Sequence, residues 1–338
     1  MLYALHEMQH ALWMPWAALA QVNRSLFSDP LSPLAYTPLS KSVAASAELM
    51  LRVTQRYTKP LFDIDSVEID GEPVAVTEEI ALAKPFCELR HFVRAADRRN
   101  ANDPKVLLVA PLSGHHATLL RDTVRTLLPA HDVYITDWVD SRMVPLIEGP
   151  FHLDDYVDYI RAFIRFLGPE LHVISVCQPT VPVLAAISLM AAAGEPGAPK
   201  TMTMMGGPID SRRSPTAVNN LATKRPYSWF EQHVIHRVPI KYPGYMRRVY
   251  PGFLQHMGFV AMNPDRHANA HWNYYNHLVK GDGESAQAHR KFYDEYNAVL
   301  DMAGEYYLDT IRIVFQEHRL PEGTWTVRGE LVAPARIQ

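Results

Sequence analysis

Apolar residues recur at three-to-four spacing near the start of the chain, at Leu5, Met8, Leu12 and Trp16, and again after a proline-rich stretch over 29–38, at Val43, Ala47, Met50 and Leu51. That period is helical, so residues 1–60 read as a helical N-terminal segment. From Phe62 the pattern changes to short β-rich runs over 62–69, 74–80 and 86–93, the first two separated by the turn Asp70-Gly71-Glu72-Pro73. Strands that follow one another without helices predict an antiparallel beginning to a sheet. Apolar strands and helices then alternate: strands over 106–109, 133–135, 171–176 and 201–205, helices over 118–128, 153–167 and 181–193. Such alternation predicts a parallel sheet buried on both faces with right-handed crossovers. The fold class is therefore α/β, a mixed, mostly parallel sheet with a core over 61–209.

After Gly206-Gly207-Pro208 the pattern dissolves into a stretch rich in Tyr, Trp, His, Met and Pro, with helical pieces and no strong strand. An insertion of that size between strands predicts a cap over 210–320. Residues 321–338, with Leu331-Val332-Ala333-Pro334, read as the approach to another strand and an incomplete return to the core.

Composition narrows the function classes. The 338 residues are 48% apolar and 20% charged, enough to bury a large core, and the net charge of −3 supplies no basic field for a polyanion. Nucleic acid is not expected as a partner. Two cysteines, Cys87 and Cys177, form neither a disulfide framework nor a pair of metal-spaced thiols. The N-terminus lacks a basic n-region and an unbroken apolar h-region, and no stretch reaches the ~20 apolar residues of a membrane span. The expected location is the cytoplasm.

The chemistry centres on Ser175-Val176-Cys177-Gln178-Pro179, where a buried strand runs straight into a helix with a cysteine at the junction. A nucleophile elbow sits at such a junction, held on a strained turn with the next helix N-terminus aimed at it. That helix end favours negative charge on a thiolate, and the N–H of Gln178 points toward a developing oxyanion. Prolines 179 and 182 suit a first helical turn. On local pattern alone a second reading stands beside this one, in which Cys177 is a buried, inert cysteine. An upstream strand ends in Pro111-Leu112-Ser113-Gly114-His115-His116, and the loop at that place supplies the other oxyanion N–H in such folds. Leu112 and Ser113 are its candidates.

Together, the segments 175–179, 111–121 and 134–138, with 149–156 and 204–210, resemble the intracellular polyhydroxyalkanoate (polyhydroxybutyrate) depolymerases over nearly the whole chain. The resemblance implies an α/β-hydrolase fold with a helical preface and a large cap insertion, and a Cys-His-Asp triad led by Cys177. It implies no cofactor and no resident metal. The implied partner is a stored polyester, with attachment to storage granules. The family's Asp and His are expected beyond Gln338. Asp137, Asp210, His115 and His116 read more simply as strand-end, turn and loop residues. Cap aromatics such as Trp229, Tyr245 and Trp272 are candidates for holding an apolar polymer.

Other readings compete. His6-Glu7-Met8-Gln9-His10 spells H-E-x-x-H, a zinc motif on a helix, without a recognisable third ligand. A polyhydroxyalkanoate synthase would share the fold but carry glycines where Ser175, Pro179 and Thr180 stand. A non-catalytic granule-binding protein is the reading from another class.

Overall fold

The computed structural model describes residues 2–98, 102–213 and 216–337; Met1 and Gln338, at the ends of the expected N-terminal segment and core return, lie outside them. The chain divides into two compact units, one of residues 1–60 with 253–299, the other of 61–252 with 300–338. The stretch expected as a cap is thus shared: 210–252 and 300–320 group with the sheet, and 253–299 with the N-terminal helices.

The helical unit opens with α1 (Leu2–Ser28) and α2 (Ser40–Thr54). Its other helices come from the far part of the chain, within 253–299. Glu7 of α1 pairs with Arg56, and Arg24 of α1 donates to Glu48 of α2 at 2.8 Å. The helical period of the first residues is realised, yet its apolar side is not turned inward: Met8, Leu12 and Trp16 are 61%, 72% and 58% exposed. Tyr3 and Ala20 form the buried side.

The sheet unit is built on β1 (Ser66–Ile69), β2 (Glu72–Lys84), β3 (Cys87–Arg94), β4 (Lys105–Val109), β5 (Asp132–Trp138), β6 (Leu171–Val176) and β7 (Thr201–Met205), in the order β1-β2-β3-β5-β4-β6-β7. The pairs from β1 to β3 and β3 with β5 are antiparallel, and those among β5, β4, β6 and β7 are parallel. An antiparallel start, a parallel centre and helices α3 (Arg121–Leu127), α4 (Leu153–Leu167) and α5 (Thr180–Ala192) between the parallel strands make this an α/β-hydrolase sheet. The first strand is shorter than the sequence predicts, beginning at Ser66 rather than Phe62, and the second longer, reaching Lys84.

Packing explains why these segments take these forms. α4 buries Leu153, Tyr156, Val157, Ile160, Phe163, Ile164 and Leu167 on one stripe and ends at Gly168, φ +79°. Asp155 accepts from the His152 N–H at 2.7 Å to close its first turn. α5 is apolar all round and buried from Thr180 to Met190, as a central helix must be.

Beyond β7 lie α6 (Ala217–Lys224), α7 (Tyr227–His233), a short sheet of β8 (His236–Arg237), β9 (Arg248–Tyr250) and β10 (Met302–Ala303), and α11 (Gly304–Asp309) leading into a π-helix, Thr310–Gln316. The intervening α8 (Gly252–Met262), α9 (Pro264–Lys280) and α10 (Gly283–Asn297) are the helices already assigned to the helical unit, except that Gly252 stays with the sheet. The small sheet was not foreseen, because strands of two or three residues leave no period to read. The strand suspected near the end is β12 (Glu330–Leu331), which pairs only with β11 (Thr326–Val327) in a hairpin of its own. Among the described residues no helix is long and apolar enough to cross a membrane.

Candidate active site

Cys177 stands at the junction of β6 and α5 with φ +67°, a left-handed backbone that costs a non-glycine residue about 1–3 kcal/mol and persists only where its surroundings impose it. They do. Its N–H donates to the Met205 carbonyl at 2.7 Å, and its own carbonyl accepts from the Thr180 hydroxyl at 2.9 Å and the Thr180 N–H at 3.2 Å. The side chain is exposed, whereas Cys87 is buried in the core. Cys177 is therefore not the buried cysteine that one reading of the local pattern predicts.

Room for the turn comes from a residue the sequence did not single out for it. The usual elbow has glycines two residues either side of its nucleophile, and here those positions are Ser175 and Pro179. A Cβ on Gly207, just past the neighbouring strand β7, would lie 1.6 Å from Thr180 Oγ1 and 2.6 Å from the Cys177 carbonyl oxygen. Only glycine fits there. The small residue that the elbow needs has moved from its own strand to the next.

The loop carrying Leu112 and Ser113 leaves β4 beside the elbow. Val109 pairs with Ser175 in the parallel register, so Cys177 and the 111–114 loop emerge from adjacent strands at the same, C-terminal edge. Thr136 accepts from the Ala110 N–H at 2.9 Å and the Trp138 indole donates to the Ala110 carbonyl at 2.9 Å, fixing the strand end. A strap over 300–306 pins the loop itself. The Leu300 N–H donates to the Gly114 carbonyl at 2.8 Å, and the Tyr306 hydroxyl to the Leu112 carbonyl at 3.2 Å. With both carbonyls engaged, the loop has little freedom to turn its amides. Tyr306 is fully buried among Phe151 and Tyr156, and burial, with the Cys177 thiol near by, holds its phenol well above the ordinary value.

The strap is anchored by two carboxyls, Asp301 buried and Asp140 largely so. The Asp140 Oδ1 accepts from the Asp301 N–H at 3.2 Å and the Arg142 N–H at 3.1 Å, and Asp301 Oδ1 accepts from the Gly252 N–H at 2.8 Å. Burial first, and the neighbouring Asp301 carboxylate second, push Asp140 up to about 7. Arg247 braces the adjacent loop, its buried guanidinium donating to the Val144 carbonyl at 2.9 Å and that of Gly149 at 2.7 Å.

The remaining sequence candidates fall as follows. Gln178 follows Cys177 directly, and neither Oε1 nor Nε2 of its side chain, both buried, has a hydrogen-bond partner among the described residues. Asp137 is buried and ion-paired with Arg90, and Asp210 pairs with Arg212. Trp229, stacked on His233, and exposed Tyr245 belong to the sheet unit, whereas exposed Trp272 belongs to the helical unit. In the H-E-x-x-H segment His6 stacks on Phe253 at 4.0 Å and Glu7 is held by Arg56. One pair leaves no sign in the sequence: His152 Nδ1 and Asp309 Oδ2 lie 2.7 Å apart, joining residues 157 positions from one another.

Comparison with known proteins adds one family. Residues 206–338 match the family described as the PHB de-polymerase C-terminus. Among curated protein sequences the chain has no significant match. Among solved structures it is similar to an alpha/beta hydrolase enzyme from the metagenome of Lake Arreo, Spain (17% identity, 61% of this chain and 62% of that one, TM-score 0.31). It is also similar to an ester-hydrolase from the same metagenome (16%, 61% and 63%, TM-score 0.32) and to a hypothetical protein from Pseudomonas aeruginosa (10%, 77% and 78%, TM-score 0.36). The chain thus spans less than two thirds of the length of the first two.

Proposed function

On the premise that residues 206–338 belong to the family of the PHB de-polymerase C-terminus, we propose that this chain cleaves the ester bonds of poly(3-hydroxybutyrate) with Cys177 as nucleophile. The observation that carries the proposal is the exposed Cys177 at φ +67°, on a strand-to-helix turn beside the pinned 111–114 loop.

In the proposed reaction the Cys177 thiolate adds to an ester carbonyl carbon, forming a C–S bond and a tetrahedral oxyanion. The N–H of Gln178 and that of Leu112 or Ser113 hold the oxyanion. Collapse breaks the C–O bond to the departing chain, whose alkoxide takes up the proton lost by the thiol and leaves as a hydroxyl end. Water then adds to the thioester, releasing a carboxylic acid end and restoring the thiol. Donors fixed in advance act where charge develops, which is why a loop tied at both carbonyls suits the step.

The test is release of 3-hydroxybutyrate and its oligomers from amorphous poly(3-hydroxybutyrate) particles. The expected result is release by the chain and a loss of about 10³-fold or more in Cys177→Ala. Full activity in Cys177→Ala would refute the nucleophile assignment.

A further inference from the structure

Within the helical unit, α8, α9 and α10 close around a cavity of about 330 Å³, a size that takes a small molecule. Phe259 and Met262 of α8 and Phe292 of α10 give it apolar walls. The facing sides of α9 and α10 give it polar groups, several already satisfied within the wall. His267 holds two phenols of α10, its Nδ1 2.9 Å from the Tyr293 oxygen and its Nε2 3.2 Å from that of Tyr296. Two lining groups are left over. Arg266, exposed in the first turn of α9, has no ion-pair partner among the described residues. His289 of α10 has both ring nitrogens buried and without a hydrogen-bond partner among them. Its ring lies 5.3 Å from that of His271, one turn of α9, about 6 Å, beyond His267. No acidic side chain lines the cavity among the described residues, so the charge facing it is positive.

We propose that this cavity binds a small hydroxy acid, with Arg266 on its carboxylate and His289 on its hydroxyl. The inference rests on the polyester reading above for the identity of the acid: 3-hydroxybutyrate, free or as the carboxylate end of a short linear oligomer. An unpaired guanidinium takes a carboxylate through two parallel N–H bonds. Burial first, and the neighbouring His271 second, lower the His289 imidazole to about 4, so its ring is neutral near pH 7. A neutral imidazole offers one N–H and one acceptor nitrogen, and a hydroxyl meets either. The apolar walls cover the aliphatic part of such an acid. A cationic ligand is opposed by Arg266. A phosphate dianion brings two charges to a single guanidinium beside three apolar side chains, where charge is costly to bury.

Isothermal titration calorimetry of the full chain carrying Cys177→Ala, which spares an oligoester from cleavage, measures binding of sodium 3-hydroxybutyrate and of its linear trimer. Methyl 3-hydroxybutyrate lacks the carboxylate, butyrate lacks the hydroxyl, and inorganic phosphate brings charge without an apolar body. Arg266→Gln, at an exposed position, and His289→Phe are titrated in the same way after circular dichroism shows them folded. Binding of the monomer, the trimer or both is expected, and which of them binds tells a free acid from a chain end. The methyl ester and phosphate should bind at least tenfold more weakly, and butyrate several-fold more weakly. Arg266→Gln should weaken the acid at least tenfold, and His289→Phe should abolish its preference over butyrate; if His289→Phe is unfolded, the butyrate comparison in the parent chain decides the hydroxyl contact. No binding of either acid overturns the proposal. So does equal binding of the methyl ester or of phosphate, or acid binding unchanged in Arg266→Gln. Cleavage of a soluble 3-hydroxybutyrate oligoester by the native chain is measured alongside. Cleavage without acid binding defeats this inference alone, and acid binding that Arg266→Gln weakens, without cleavage, defeats the depolymerase reading alone.

Discussion

Cys177 and Cys87 are the same chemical group in opposite surroundings, one exposed on a strained turn and the other buried with its thiol 3.7 Å from the Glu88 carbonyl. Iodoacetamide on the native chain should therefore alkylate Cys177 alone, with Cys87 reacting only after unfolding; peptide mass mapping reads the outcome directly. Tyr306 acts through another group, since its hydroxyl touches the Leu112 carbonyl and its role is to position the loop. Tyr306→Phe removes that donor and leaves a buried carbonyl short of one, at a cost of about 1–1.5 kcal/mol. The expected effect is roughly a tenfold fall in kcat with KM held, on a soluble oligoester. A fall confined to Tm, with kcat intact, would make Tyr306 structural only. At this scale Cys177 was legible, because a buried apolar strand, a cysteine and a proline-led helix are contiguous in sequence. Tyr306 was not, because it meets Leu112 across 194 positions.

The elements show the same division. Alternating apolar runs predicted β4 to β7 and the helices between them; β4, β5 and β6 are buried by their own composition, whereas β7, at the sheet edge, is mostly exposed. The residue that makes the elbow possible lies on a different element, at Gly207. Gly207→Ala would drive a methyl into the Cys177 carbonyl oxygen, and that backbone atom cannot yield cheaply. A loss of about 1–3 kcal/mol is expected, read as a lower Tm together with reduced activity. Unchanged stability would mean that the elbow and the 206–207 turn are less tightly fitted than the geometry shows. The strap over 300–306 is likewise invisible in sequence, being a contact between segments with no shared period.

Across the whole molecule, sequence reading gave a sheet, helices before it and a long insertion after it. It did not give the grouping of 253–299 with 1–60, because helical period shows that a helix has an apolar face and not which partner covers it. The sheet unit also carries a pH dependence. Asp140 sits at about 7 in the folded chain, above its ordinary value near 3.8, so the folded state holds a proton that the unfolded state has released between those two values. Stability should therefore fall as pH rises through that window and level off above it, with the Arg142 Nε, 2.9 Å from Asp140 Oδ2, opposing but not cancelling the effect. Urea denaturation of wild type and Asp140→Asn from pH 4 to 8 tests this: the difference between them should carry the slope, and a pH-independent difference would contradict it. Whether Cys177 carries the acyl group is read by rapid acid quench during turnover of a soluble 3-hydroxybutyrate oligoester, followed by peptide mass spectrometry. A hydroxylamine-labile 3-hydroxybutyryl adduct on the Cys177 peptide is the expected result; turnover with that peptide unmodified, and undiminished in Cys177→Ala, would rule out Cys177 as the nucleophile.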